Sequence, residues 1–156
     1  MTLPSGNYRV ATGDGQQALF IRPPGLIGTP VETIVNDMPP ITVIHVEQRG
    51  DRYVLTRVED PRGFPGAPVI GSTGLNPQPG QKVEIVPSGA PDIITEWRIE
   101  PLEHPPGTQN VYRIRPADET GIGGLSWSAT GEAQPVVLID FRGEIGQNWI
   151  FDAVAD

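Results

Sequence analysis

The sequence contains no cysteine, and this absence excludes several kinds of chemistry at once. Without thiols there are no disulfides, no thiolate nucleophile and no thiolate metal site, so the stability of the fold must come from packing. Histidine is also scarce, since the chain has only His45 and His104. A general base or a metal site would have to be built mostly from carboxylates. We therefore expect no catalytic residues, no cofactor and no metal.

The two histidines also have simpler interpretations than catalysis. His45 lies in an alternating run, which is typical of a hydrogen-bonded residue in a barrel strand. His104 precedes Pro105 and Pro106, so we expect it in a solvated turn. The sequence has neither a nucleophile elbow of the Gly-x-Ser-x-Gly type nor a phosphate-binding loop. The chain is predicted not to be an enzyme.

Lysine is nearly absent, and the acidic balance limits the partners of the protein. The chain has one lysine and a formal net charge of −8. Nucleic acids and anionic membranes are bound by clustered Lys and Arg, so we expect neither as a partner. No apolar run approaches the roughly 20 residues that span a bilayer, and residues 1–6 do not resemble a secretory signal. We expect the chain as given to be cytoplasmic and monomeric.

The spacing of an amphipathic helix is missing as well, and the pattern that is present predicts strands. Short runs rich in Val, Ile, Tyr and Trp recur along 156 residues, a length that fits one domain. Glycine (19) and proline (18) fall between these runs, as in folds with many short strands and tight turns. The predicted strands are 8–12, 18–21, 31–35, 41–47, 53–58, 68–72, 82–86, 95–101, 111–116, 124–129, 135–139 and 148–154.

These runs form a threefold pattern. Each third opens with a strand led by a tyrosine and closes with a strand that carries an apolar anchor. Such a recurrence, with a period of about 50 residues, indicates an internal repeat. The opening tyrosines are Tyr8, Tyr53 and Tyr112, and the predicted anchors are Val43, Trp97 and Trp149.

Four strands in each repeat and no helices predict an all-β fold, the β-trefoil. In this fold six strands close into a barrel without a free edge, and three hairpins cap one end. The repeats are predicted at about 6–48, 49–103 and 104–156 within one domain of residues 1–156. The alternative is a β-sandwich whose thirds are similar by accident.

The sequence resembles the fungal β-trefoil protease inhibitors of the mycocypin and mycospin group from mushrooms, most closely the serine protease inhibitor branch. The resemblance rests on GNYRV at 6–10, EWRI at 96–99 and NWIF at 148–151, together with the absence of cysteine. These are core features, so they support the fold better than the activity. The resemblance implies a defence protein whose shared scaffold contacts different proteases through different loops. Cysteine protease inhibitors and lectins are among the relatives it implies.

A substrate-like inhibitor presents a rigid, extended segment to a protease cleft, and two proline-framed loops fit that description. Loop A comprises residues 22–30 and carries Leu26 and Ile27 at its tip, where a turn would usually be polar. Leu26 at P1 would suit a chymotrypsin-like or subtilisin-like pocket. Arg22 is less favourable, because the proline after it would occupy P1′. The alternative is that Leu26 and Ile27 fold back onto the barrel mouth. The candidate contact residues of loop A are Arg22, Gly25, Leu26, Ile27 and Gly28.

Loop B comprises residues 59–66 and offers a basic tip instead. Arg62 is framed by Pro61 at P2 and is followed by Gly63 and Phe64. An arginine at P1 would pair with the buried carboxylate of a trypsin-like pocket in a charge-assisted contact. The alternative is a solvated arginine in a turn. The resemblance adds support to both loops, because related inhibitors use both positions.

The sequence thus predicts a protein inhibitor of serine proteases that binds its target protease in a substrate-like manner. Legumain-type proteases would require an asparagine at P1, and Asn76 is a weaker candidate because Pro77 follows it. Papain-like proteases would be contacted through residues 13–17 and 48–52, which is less favoured. A carbohydrate-binding lectin is the alternative from another class, although the Gln-x-Trp signature that trefoil lectins generally carry in each repeat occurs only once, at 147–149.

Overall fold

A computed structural model of the chain describes residues 3–35, 42–60, 62–73, 79–89, 93–102, 111–117, 125–142 and 145–154. Regular structure in these ranges is β-strand apart from one 3-10 turn at Ile145–Gln147. None of the described residues forms a helix long and apolar enough to cross a membrane. The strands are β1 (Gly6–Thr12), β2 (Gln17–Ile21), β3 (Val31–Val35), β4 (Ile44–Arg49), β5 (Arg52–Arg57), β6 (Pro68–Thr73), β7 (Gln81–Lys82), β8 (Glu84–Pro87), β9 (Ile93–Ile94), β10 (Trp97–Pro101), β11 (Val111–Pro116), β12 (Leu125–Ser128), β13 (Gln134–Pro135), β14 (Val137–Asp140) and β15 (Trp149–Ala153).

Six of these strands hydrogen-bond in a closed ring. β1 pairs with β4, β4 with β5, β5 with β10, β10 with β11, β11 with β15, and β15 returns to β1. Each of them contains a predicted opening tyrosine or lies at a predicted closing strand. Closure removes the exposed strand edges that promote aggregation. The predicted six-stranded barrel is confirmed, and the sandwich alternative is wrong.

Three hairpins complete the architecture. β2 pairs with β3, β6 with β8, and β12 with β14. Neighbouring hairpins are joined as well, because β3 pairs with β13 and β14 pairs with β7. A barrel of six strands with three linked hairpins is the β-trefoil fold, as the sequence predicted.

The described residues form fifteen strands where the sequence predicted twelve, because some strands change partners along their length. The predicted strand 82–86 divides at Val83. On one side β7 pairs with β14, and on the other side β8 pairs with β6. The amide of Val83 itself donates to the carbonyl of Val136 at 2.9 Å. Apolar content alone does not show where a strand turns from one partner to the next.

The threefold pattern is visible as matching cross-strand pairs in the barrel. Tyr53 lies opposite Trp97, and Tyr112 lies opposite Trp149. In the first repeat the partner of Tyr8 is Ile44, which is fully buried, while Val43 is partly exposed. The prediction of Val43 as the anchor is therefore wrong by one residue. Because strand side chains alternate between faces, one step moves the anchor from the core to the outside.

Three tryptophans form the centre of the core. Trp97, Trp127 and Trp149 are completely buried. Trp127 lies between the other two, with edge-to-face ring contacts at centroid distances of 5.2 Å to Trp97 and 6.0 Å to Trp149. Such contacts add to the stabilisation from burying the rings. The sequence analysis did not single out Trp127, because it lies on a hairpin strand rather than a closing strand.

Candidate functional site

Loop A directs its apolar tip into solvent. The side chains of Leu26 and Ile27 are 68% and 54% exposed. The amide of Thr29 donates to the carbonyl of Leu26 at 2.9 Å, which closes a turn around the tip. The alternative that these side chains fold back onto the barrel mouth is wrong. Two exposed branched side chains in adjacent positions form an apolar surface that a partner can cover.

The tip of loop A is tied to the second hairpin on its C-terminal side. The amide of Gly28 donates to the carbonyl of Ile85, in β8, at 2.8 Å, and the amide of Ile85 donates to the carbonyl of Thr29 at 2.9 Å. Gly25 and Gly28 adopt positive φ angles of 70° and 95°, which residues other than glycine rarely adopt. These bonds and turns hold the loop in one shape before any partner arrives.

Loop B places its basic and aromatic residues outside in the same way. Arg62 and Gly63 are exposed, and the side chain of Phe64 is 49% exposed. The Arg62 guanidinium donates one bond, to the carbonyl of Val58 at 3.3 Å. Pro61 lies outside the described residues. Arg62 is therefore a solvated arginine in the free protein, and its side chain is accessible to a partner.

Loop B is tied to Ser88, which follows β8. The amide of Gly66 donates to the Ser88 carbonyl at 2.9 Å, and the Ser88 hydroxyl donates to the carbonyl of Phe64 at 3.2 Å. The amide of Ala67 donates to the same Phe64 carbonyl at 3.1 Å. Loops A and B thus use the same segment of the second hairpin as their support.

Arg57 joins the two loops. This side chain, at the end of β5, is almost buried and makes two hydrogen bonds to the Asp60 carboxylate, at 2.9 and 2.6 Å. Its guanidinium also lies 3.6 Å from the Glu59 carboxylate. The hydrogen bond to Asp60 is the main reason that the pKa of Arg57 is raised above its ordinary value, so the side chain stays charged. Arg57 fixes the start of loop B.

The Arg57 guanidinium also lies against Gly25 of loop A. A Cβ atom added to Gly25 would overlap the guanidinium, so the Arg57 side chain, which is hydrogen-bonded to Asp60, would have to move. Gly25 is one of the contact residues predicted from the sequence, whereas Arg57 and Asp60 are not. An arginine followed three residues later by an aspartate is the only local signal that could have pointed to this junction.

We predict that Gly25→Ala is clearly more destabilising than Gly28→Ala. Both glycines have positive φ, and that strain costs about 1 kcal/mol for alanine. Only Gly25 faces a clash, because an added Cβ at Gly28 meets nothing within 4 Å. We expect a melting temperature roughly 2–4 °C lower for Gly28→Ala and about 6 °C or more lower for Gly25→Ala, measured by circular dichroism. Equal losses would contradict the close packing of Gly25 on Arg57.

A cleft of about 330 Å³ lies between loop B and the outer face of the barrel. Phe64 and Pro65 form one wall, and Glu47 and Thr56 line the other. The Thr56 hydroxyl is buried without a hydrogen-bond partner among the described residues. His45 also lines the cleft, and its Nδ1 is hydrogen-bonded to Asn7 Oδ1 at 2.8 Å, which agrees with a satisfied barrel residue.

Other candidates from the sequence are not described by the structure. Asn76 and His104 lie outside the described residues.

Within the described ranges no three or more His, Asp or Glu side chains are grouped so that they could hold a metal ion. The segment 13–17, considered for papain-like proteases, is a closed turn in which the Thr12 hydroxyl donates to Asp14 at 2.7 Å.

Comparison with known proteins identifies the fold and little else. The chain matches no protein-family model and no curated protein. Among solved structures it is similar to ThreeFoil, a designed threefold-symmetric protein, with a TM-score of 0.73, 14% identity and coverage of 96% of this chain and 99% of ThreeFoil. These sequences share a fold, not a family signature.

Two natural proteins with the same fold have different functions. A proteinase inhibitor from Coprinopsis cinerea is similar over 98% of this chain and all of its own length, with a TM-score of 0.67 and 16% identity. The Rhizoctonia solani agglutinin is similar over 99% of both chains, with a TM-score of 0.71 and 15% identity. At this level of identity the likeness shows the fold alone.

Proposed function

We propose that the protein is a reversible inhibitor of trypsin-like or chymotrypsin-like serine proteases that inserts loop A or loop B into the active site. The observation that carries this proposal is that two exposed tips, one apolar and one basic, are held rigid by bonds to the same hairpin. Rigid loops lose little conformational entropy on binding, which is what a tight substrate-like inhibitor requires. The chain from Coprinopsis cinerea supports the proposal, because a protein of the same fold is a proteinase inhibitor.

Each tip fits a different specificity pocket. Leu26 would fill the apolar pocket of a chymotrypsin-like or subtilisin-like enzyme, and its side chain is already exposed to solvent. Arg62 would enter a trypsin-like pocket and form a charge-assisted pair with its carboxylate. The backbone on either side would pair with the enzyme as an added strand. The residues act by binding, and no bond of the inhibitor has to be broken.

A panel of active-site-titrated trypsin, chymotrypsin, subtilisin, papain and legumain tests the proposal. We expect slowly reversible, competitive inhibition of trypsin, of chymotrypsin or subtilisin, or of both groups, at stoichiometric concentrations. Inhibition confined to papain or legumain would replace the proposal with the cysteine protease alternative. No inhibition of any of the five enzymes would contradict the proposal.

A carbohydrate-binding lectin is the second candidate, and the cleft beside loop B is the observation that favours it. An aromatic side chain, Phe64, and the carboxylate-bearing Glu47 both line this cleft, and such a mixture suits a sugar ring and its hydroxyls. The Rhizoctonia solani agglutinin shows that the fold accommodates lectins. Binding on a glycan array that survives Leu26→Ala and Arg62→Ala, without protease inhibition, would favour the lectin.

We further propose that the protein acts as a monomer in the cytoplasm, without nucleic acid or membrane partners. The cysteine-free fold needs no oxidising compartment, and the net charge of −8 opposes binding to polyanions. Size-exclusion chromatography with light scattering is expected to give a mass near 16.8 kDa. A concentration-independent dimer would contradict the monomer.

A further inference from the structure

We propose that loops A and B form a single binding face that accepts one protease at a time, with Arg57 as the positioning residue that couples them. This inference rests on the proposed function and adds to it, because two different P1 candidates would otherwise predict two independent inhibitory sites. In the structure the side chain of Arg57 contacts both loops. Gly25 packs against the Arg57 guanidinium, and the same guanidinium is hydrogen-bonded to Asp60.

The first step is the distance between the two loop tips, Leu26 and Arg62. Gly25 precedes Leu26 directly, and Asp60 is two residues from Arg62. The path from one tip to the other through Arg57 therefore consists of a few covalent links, one contact and one hydrogen bond of 2.6 Å. With about 3.8 Å between consecutive Cα atoms, the Cα atoms of Leu26 and Arg62 are within roughly 25 Å of each other.

The second step is the size of the partner. A standard protein–protein interface covers about 800 Å² of each partner, which corresponds to a disc with a radius of roughly 16 Å. Two such discs overlap unless their centres are more than about 32 Å apart. Footprints centred on Leu26 and on Arg62 therefore share surface. A protease bound at one tip therefore covers part of the surface that a second protease would have to contact at the other tip.

The third step is mechanical coupling. Both tips depend on the same small set of bonds, since Arg57 holds the start of loop B through Asp60 and supports Gly25 in loop A. Arg57 is almost buried, so it acts on a partner only through the loops that it positions. Lysine at this position would keep the charge but could not make the planar, two-bond contact with a carboxylate. Arg57→Lys is thus expected to loosen both loops together.

The coupling is tested on the free protein by hydrogen exchange, which needs no protease. We expect about tenfold faster exchange in both loops of Arg57→Lys, read at the amides of Gly28 and Gly66, which are bonded to the second hairpin. Asp60→Asn is a second variant expected to act in the same direction. The control is Arg22→Lys, which alters the exposed ion pair of Arg22 with Glu32 at 3.1 Å and should leave loop B unchanged. Faster exchange in only one loop of Arg57→Lys would overturn the coupled face, whether or not the protein inhibits proteases.

The claim that only one protease binds at a time is tested by mixing the protein with saturating trypsin and chymotrypsin. The masses of the complexes are then measured by native mass spectrometry. We expect complexes of one inhibitor with one enzyme only, and excess of one enzyme should displace the other. A complex of one inhibitor with both enzymes would overturn the single face. If only trypsin binds, Leu26→Glu is used instead. It should weaken trypsin binding at least about tenfold, because Leu26 lies within the footprint centred on Arg62. Unchanged trypsin binding would then overturn the single face while the proposed function stands.

Discussion

Arg62→Ala is expected to raise the inhibition constant against trypsin by about a hundredfold or more, with no change in melting temperature. A charge-assisted pair with the buried carboxylate of the specificity pocket is worth about 1.5–3 kcal/mol, and truncating a central anchor costs the packing of its stem as well. The melting temperature should not change, because Arg62 is exposed and, among the described residues, its guanidinium donates one hydrogen bond of 3.3 Å, to the carbonyl of Val58. Inhibition assays and thermal melts of the same preparation give both values.

Leu26→Ala is the companion variant for chymotrypsin and subtilisin, and matched controls exist for both. Arg9→Ala removes another exposed arginine, which lies in β1 and outside both loops. Val58→Ala removes an exposed apolar side chain at the base of loop B. Both controls should leave inhibition within about threefold of the unmodified protein. Undiminished inhibition in Arg62→Ala and Leu26→Ala together would show that neither loop tip carries P1.

The barrel could be predicted from the sequence because its positions repeat. Tyr53 and Trp97 are so large that their recurrence at equivalent points of the repeats is visible without any structure. The error at Val43 shows the limit of this reasoning. Val43 and Ile44 are adjacent apolar residues, and only the cross-strand partner of Ile44 decides which of them enters the core.

The candidate site could be predicted only in part. Proline and glycine around Leu26 mark loop A as a turn, but they leave open whether its apolar tip faces solvent or folds back onto the barrel mouth. The junction at Arg57 could not be predicted, because it brings together Gly25 and Asp60 from different repeats. Such a contact depends on how the hairpins pack on the barrel, and nothing in either loop's own sequence specifies it.

Trp127→Ala is expected to cause the largest loss of stability of any single truncation considered for this protein, about 3–5 kcal/mol. The ring is fully buried between two other tryptophans, so its removal leaves a cavity at the centre of the core. Domains of this size are stable by roughly 5–15 kcal/mol, and the variant should retain only a small part of that. Urea unfolding followed by far-ultraviolet circular dichroism measures the loss without depending on tryptophan fluorescence.

Replacing a buried tryptophan by phenylalanine tests how much the indole N–H group contributes to stability while keeping an aromatic ring in the core. The Trp127 N–H has no hydrogen-bond partner among the described residues, whereas the Trp97 N–H donates to the carbonyl of Ile70 at 2.8 Å. Trp97→Phe therefore leaves a buried carbonyl without its donor, and Trp127→Phe does not. We expect Trp97→Phe to be more destabilising than Trp127→Phe by about 1 kcal/mol. If the two phenylalanine variants unfold at the same urea concentration, or if Trp127→Ala costs less than about 2 kcal/mol, the three-tryptophan core does not stabilise the barrel in the way its geometry implies.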